Sequence, residues 1–244
     1  MKHHILVGLR LILLSLYLAV VGTILASNVA AQNPDMQQKL AEVKESAARN
    51  KQALAQYTWQ EQVNIILKGE QKKQEHFQVQ LGPDGKPQKT SLDAPPAEQA
   101  GGRREGRLKQ HVVEEKKEEY QEYANQMKEL IQQYLPPDKE MLAQAQQKGN
   151  ITLGAQPGAS GQYRVVVSNY VKQGDNMTLV MDQAQKDLVS VSIATYLSDP
   201  KDAVNVSVQF ASIPGGPNHV SSETINGVSK QLTINIQNSN YQKL

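Results

Sequence analysis

The sequence predicts an α+β fold: a curved antiparallel meander covered by amphipathic helices. Three observations carry this. The last 95 residues alternate apolar and polar side chains between closely spaced turns. Residues 57–81 do the same as a hairpin. The intervening segments carry apolar residues at helical spacing, and each predicted strand is apolar on one side only, so the sheet needs a cover.

The elements follow in chain order. Lys2, His3, His4 and Arg10 precede an apolar run from Leu11 to Leu25, and Val29 and Ala31 offer small residues before Gln32. This is the layout of a secretory signal peptide spanning residues 1–31, cleaved after Ala31. An uncleaved anchor is the alternative, since Ile5 to Ala26 nearly matches a bilayer core. The polar exit Gln32-Asn33-Pro34-Asp35 favours cleavage, and the remaining residues, 32–244, form one domain.

Residues 35–54 read as a helix capped by Asp35, with Met36, Leu40, Val43 and Ala47 on one side. Tyr57, Trp59, Val63, Ile65 and Leu67 then alternate with Thr58, Gln60, Gln62, Asn64 and Ile66. After a turn at Lys68-Gly69-Glu70-Gln71, the residues Glu75, Phe77, Val79 and Leu81 alternate with His76, Gln78 and Gln80. The turn Gly82-Pro83-Asp84-Gly85 leads to a short third strand over 87–92. Residues 93–106, with Pro95, Pro96 and three glycines, have linker composition; they lack the strand and Gly-Lys-Ser/Thr ending of a phosphate loop.

A helical insertion occupies 107–147. Leu108, Val112, Tyr120, Tyr123, Met127, Leu130, Ile131 and Tyr134 form one stripe, Pro136-Pro137 ends the helix, and Asp138 starts a shorter one reaching Gly149. Five or six strands follow. Tyr163, Val165 and Val167 share a face, as do Met177, Leu179 and Met181. Val189, Val191, Ile193 and Leu197 come next, then Val204, Val206, Val208 and Phe210, and lastly Leu232, Ile234 and Ile236.

Composition bounds the chemistry. The 244 residues include no cysteine, which excludes disulfides, thiol catalysis and a lipid-anchoring cysteine. Of 26 Lys+Arg and 24 Asp+Glu, Lys2 and Arg10 fall in the signal segment, so the mature chain is neutral and no nucleic-acid partner is expected. His76, His111 and His219 are the mature histidines. His111-Val112-Val113-Glu114-Glu115 misses an inverted zinc-protease motif at its fifth position, so no metal site is expected. There is no Gly-x-Ser-x-Gly elbow, and Asp182, Asp187, Asp199 and Asp202 sit at turns without the order of a calcium loop. No carboxylate reads as isolated in an apolar stretch, as a tuned acid or base would be. A non-enzymatic protein without cofactors is the expectation.

The signal segment, the helix running into Leu54-Ala55-Gln56-Tyr57-Thr58-Trp59-Gln60-Glu61-Gln62, the helical insertion and the closing meander together resemble the LolA-like superfamily of periplasmic lipoprotein carriers. The likeness lies in element order over residues 35–244. It implies a half-open barrel that holds acyl chains under a helical lid, in a periplasmic or secreted protein touching membranes only transiently. The implied ligand is a lipid or lipoprotein acyl chain, bound at about 0.8 kcal/mol per buried methylene. The implied cavity is lined by Trp59, Ile65, Phe77, Val79, Val165, Val206 and Phe210, with Tyr120, Tyr123 and Met127 facing it. The same residues would equally serve as a filled core. In that case the alternative is an envelope protein-interaction module whose 107–147 helices bind a partner protein.

Overall fold

A computed structural model describes residues 38, 45, 46, 48–93, 107–135 and 137–244, with the backbone alone described for 107–117 and 139. The expected signal segment, half of the first predicted helix and linker residues 94–106 lie outside the described residues.

Ten antiparallel strands form one open sheet. The hairpin pairs β1 (Tyr57–Leu67) with β2 (Glu70–Leu81), and β3 (Pro87–Ser91) adds to β2. The turn between β1 and β2 is tighter than expected. Only Lys68 and Gly69 lie between the strands, both at positive φ (54° and 78°), which matches the twist of a two-residue hairpin.

Two helices follow: α1 (Arg107–Ile131) and α2 (Lys139–Gln147). The Asp138 carboxylate accepts from the Met141 backbone N–H at 2.9 Å, fixing the start of α2 as its sequence predicts. The chain then runs through β4 (Ile151–Ala155), β5 (Gln162–Ser168), β6 (Asn176–Asp182), β7 (Leu188–Tyr196), β8 (Ala203–Ser212), β9 (Asn218–Gly227) and β10 (Leu232–Lys243).

This meander has seven strands, not five or six. The two additions are β4, which is short, and β9, whose run Ser221-Ser222-Glu223-Thr224 hides its alternation. The sheet order is β3-β2-β1-β10-β9-β8-β7-β6-β5-β4. The first strand therefore pairs with the last, and the helical insertion connects the two edge strands, β3 and β4.

Register places one apolar row beside another on a single face. Ile65, Ile234, Ile225, Val206, Ile193, Met177 and Val167 form one row across neighbouring strands. These residues belong to one buried core, and each aliphatic side chain so placed contributes about 1.5–3 kcal/mol. One predicted face is corrected. A register shift between Val180 and Met181 brings Leu188 opposite Met181, so Leu188 is buried while Val189 is half-buried.

Helical residues meet the sheet at its two ends. Tyr123 donates its hydroxyl hydrogen to Asp202 at 2.8 Å in the β7–β8 turn, and Ser229 of the β9–β10 turn donates to the Tyr123 oxygen at 3.2 Å. Tyr134, just past α1, reaches Asp175 and Thr195. At the opposite end, residues 48–54 are helical, Asn50 bonds Asp187 at 3.0 Å, and the Asn218 backbone N–H donates to Asn50 at 3.0 Å.

Candidate functional site

Nine of the ten residues expected to line a cavity share the core. Trp59, Ile65, Phe77, Val79, Val165 and Val206 lie on the inward face of the sheet, and Tyr123 and Met127 come from α1. Phe210 is partly buried against them, and Tyr120 is half-buried on α1. Trp59 is fully buried and stacks on Tyr241, ring centroids 5.5 Å apart.

The inward face also carries carboxylates, of which the sequence places only Glu75 beside Phe77 and Val79. Period two continues through Glu61 on β1 and Glu75 on β2, so both carboxylates point inward with Trp59, Val63, Phe77 and Val79. The hairpin's face is therefore not wholly apolar. Lys89 of β3 reaches Glu61 at 2.5 Å, and Lys73 reaches Glu75 at 2.6 Å. Burial pushes the Glu61 carboxyl above the usual range, against the pull of Lys89.

Glu223 on β9 is the third inward carboxylate. It stands opposite Ile236 on one side and Val208 on the other, in a row continued by Val63 and Val191. Only 5% of its surface is exposed. Its Oε1 has no hydrogen-bond partner among the described residues. Burial, reinforced by the nearby Glu61 charge and opposed by Lys89, raises its pKa to about 8. In the sequence Glu223 stands between Ser222 and Thr224, so no apolar stretch marks it, and it is strand pairing that sets it among apolar residues. The missed signal was Ile225 and Gly227, two and four positions on, which continue the same inward alternation.

Asn238 of β10 completes the group. It stands opposite Glu61, is 8% exposed, and donates from Nδ2 to the Val220 carbonyl at 3.1 Å. Its Oδ1 has no partner among the described residues. Nearby, His219 is buried with its ring centroid 4.0 Å from that of Tyr241, and burial lowers its pKa.

An open cleft of about 340 Å³ is lined by Gln60, Glu61, Gln62, His76, Leu92, Asp93 and Ser239. None of the ten expected cavity residues lines it. His76 Nδ1 lies 2.9 Å from Asp93, whose carboxyl that contact holds below its usual pKa, and Nε2 lies 3.3 Å from the Gln74 amide. Both ring nitrogens are thereby engaged, and the pair secures the end of β3 against β2. Among the described residues no cluster of His, Cys, Asp and Glu is suited to a metal ion, and no helix is long and apolar enough to cross a membrane.

Comparison with known proteins gives little further. No family model matches the chain, and no curated protein matches it. A DUF1329 family protein from Desulfovibrio piger, known from its crystal structure, aligns with 87% of this chain and 94% of its own. The identity is 12% and the TM-score 0.43, a distant structural neighbour.

Proposed function

We propose that this protein is exported and binds a hydrophobic ligand, an acyl chain, lipid or lipoprotein, on the inward face of its open sheet as a carrier or sensor. The observation that supports this most is the apolar row from Ile65 to Val167, which crosses seven strands of an open sheet whose outermost strands, β3 and β4, do not pair with each other. A sheet of this kind presents one long apolar surface to a hydrocarbon chain. The element order that resembles the LolA-like carriers supports the same reading, with the helical insertion as the lid.

The test is extraction and native mass spectrometry of the mature protein purified from a periplasm. Copurifying lipid is expected. After delipidation, decanoic acid should shift the emission of Trp59, the single tryptophan. Absence of both lipid and shift overturns the proposal.

A second reading is a protein-interaction module with a filled core. Membership of Trp59, Phe77, Val79, Val165 and Val206 in one packed cluster favours it. Such a protein stays dark with a hydrophobic dye, and substitution of exposed α1 residues such as Glu118 and Glu122 weakens binding of its partner while the core stays intact.

A further inference from the structure

Three carboxylates and two amines meet on the inward face. Lys89 is paired with Glu61 and Lys73 with Glu75, which leaves Glu223 as the third carboxylate. Among the described residues, Glu223 Oε1 and Asn238 Oδ1 are buried oxygens without a hydrogen-bond partner, and the nearby His219 Nδ1 is likewise unpartnered. The two oxygens belong to adjacent strands: Glu223 is opposite Ile236, and Asn238 lies two residues further along β10 on the same face. Buried acceptors left without a donor cost about 1–3 kcal/mol each, so a site holding two is built for something that donates.

The helix does not supply that donor at its described contacts. Tyr123 and Met127 approach Gly227, four residues from Glu223 along β9 and thus about 13 Å away. Between the two positions the face is aliphatic, with Ile225, Ile234 and Val206.

We propose that Glu223 and Asn238 receive the primary ammonium head of an amphipathic ligand whose hydrocarbon chain lies along the apolar rows beside them. This rests on the hydrophobic-ligand reading above and names the ligand's polar end. An ammonium carries three donors and no acceptor, so one head group satisfies both orphan oxygens. Its charge favours the ionised form of the Glu223 carboxyl, which burial otherwise keeps protonated near neutral pH. A carboxylate or phosphate head brings mainly acceptors to two oxygens that lack a donor, and an alcohol offers a single donor.

The test compares decylamine, decanol and decanoate by Trp59 emission on the delipidated mature protein, as wild type, Glu223→Gln and Asn238→Leu. Wild type should bind decylamine about tenfold or more tighter than either other compound. Glu223→Gln should lose that preference while decanol affinity stays within about twofold, and Asn238→Leu should lose part of it. Equal binding of the three compounds by wild type, or a preference that survives Glu223→Gln, overturns the ammonium site and leaves the hydrophobic-ligand reading standing. No binding of any of the three overturns both.

Discussion

Tyr134 donates its hydroxyl hydrogen to Asp175 across 2.6 Å, inside the core. The same carboxylate accepts from the backbone N–H groups of Tyr170 at 2.6 Å, Val171 at 2.9 Å and Lys172 at 2.8 Å. One buried acid thus folds the β5–β6 turn and ties it to the segment just past α1. Burial, with Asp175 adding to it, keeps the Tyr134 hydroxyl protonated far above its ordinary pKa.

Asp175→Ala strips three turn N–H groups of their acceptor and should destabilise the protein by about 3–5 kcal/mol. Tyr134→Phe removes one bond and should cost about 1–1.5 kcal/mol. Urea unfolding followed by circular dichroism measures both, and equal losses for the two variants would show that the turn does not depend on the carboxylate.

Gly227 is required by the approach of α1. A Cβ built there would lie 2.5 Å from a Tyr123 ring carbon and 2.6 Å from the Met127 sulfur. Tyr123 has no easy retreat, because its hydroxyl bonds Asp202 and Ser229, and burial raises its pKa to about 12. Gly227→Ala should lower stability by about 1–3 kcal/mol, and by less in a Tyr123→Leu background where the ring edge is gone. Additive effects in the double variant would place the strain elsewhere.

Legibility in the sequence follows from what each position contributes. The β1–β2 hairpin was readable because Trp59, Val63, Ile65, Phe77 and Val79 mark one face without a break in type on most turns of the pleat. Strand β9 was not, because its inward positions are Glu223, Ile225 and Gly227: a charge, one aliphatic residue and no side chain. A periodicity built on hydrophobicity cannot register a carboxylate as an inward residue. The same blindness hid Glu61, whereas Glu75 falls into the alternation that Phe77, Val79 and Leu81 set. Leu188 was displaced from view by a register shift, a feature set by strand pairing rather than by local composition.

Lys89 and Glu61 form a pair that is almost wholly buried, with side-chain exposures of 7% and 1%. The Lys89 ammonium also sits 5.8 Å from the centre of the Phe77 ring. Lys89→Met leaves Glu61 charged or forces it to take a proton, and should destabilise by about 3–5 kcal/mol near neutral pH. Lys89→Met with Glu61→Leu removes both members and should recover most of the loss. A double variant as unstable as the single would show that Lys89 acts by packing its stem, not by neutralising Glu61.

Glu223 sets a pH dependence with a defined sign. Its carboxyl titrates at about 8 in the folded chain against 4.5 for the ordinary side chain. Below the lower value both states hold the proton and the group has no effect. Between the two, the unfolded chain releases the proton while the folded chain retains it, so folding stability falls as pH rises through that window. Above about 8 the folded protein carries a buried charge facing Glu61, with Lys89 as the offsetting cation, and the loss is complete. Its size is on the order of a few kcal/mol. Glu223→Gln removes the titration while keeping the shape. Thermal unfolding of the two proteins should therefore coincide near pH 4 to within about 2 °C and diverge toward pH 8.5, the variant melting about 5–10 °C higher. Melting curves that stay parallel over that range would mean that Glu223 finds a donor or water in solution, and a decylamine-saturated wild type should close the gap by supplying one.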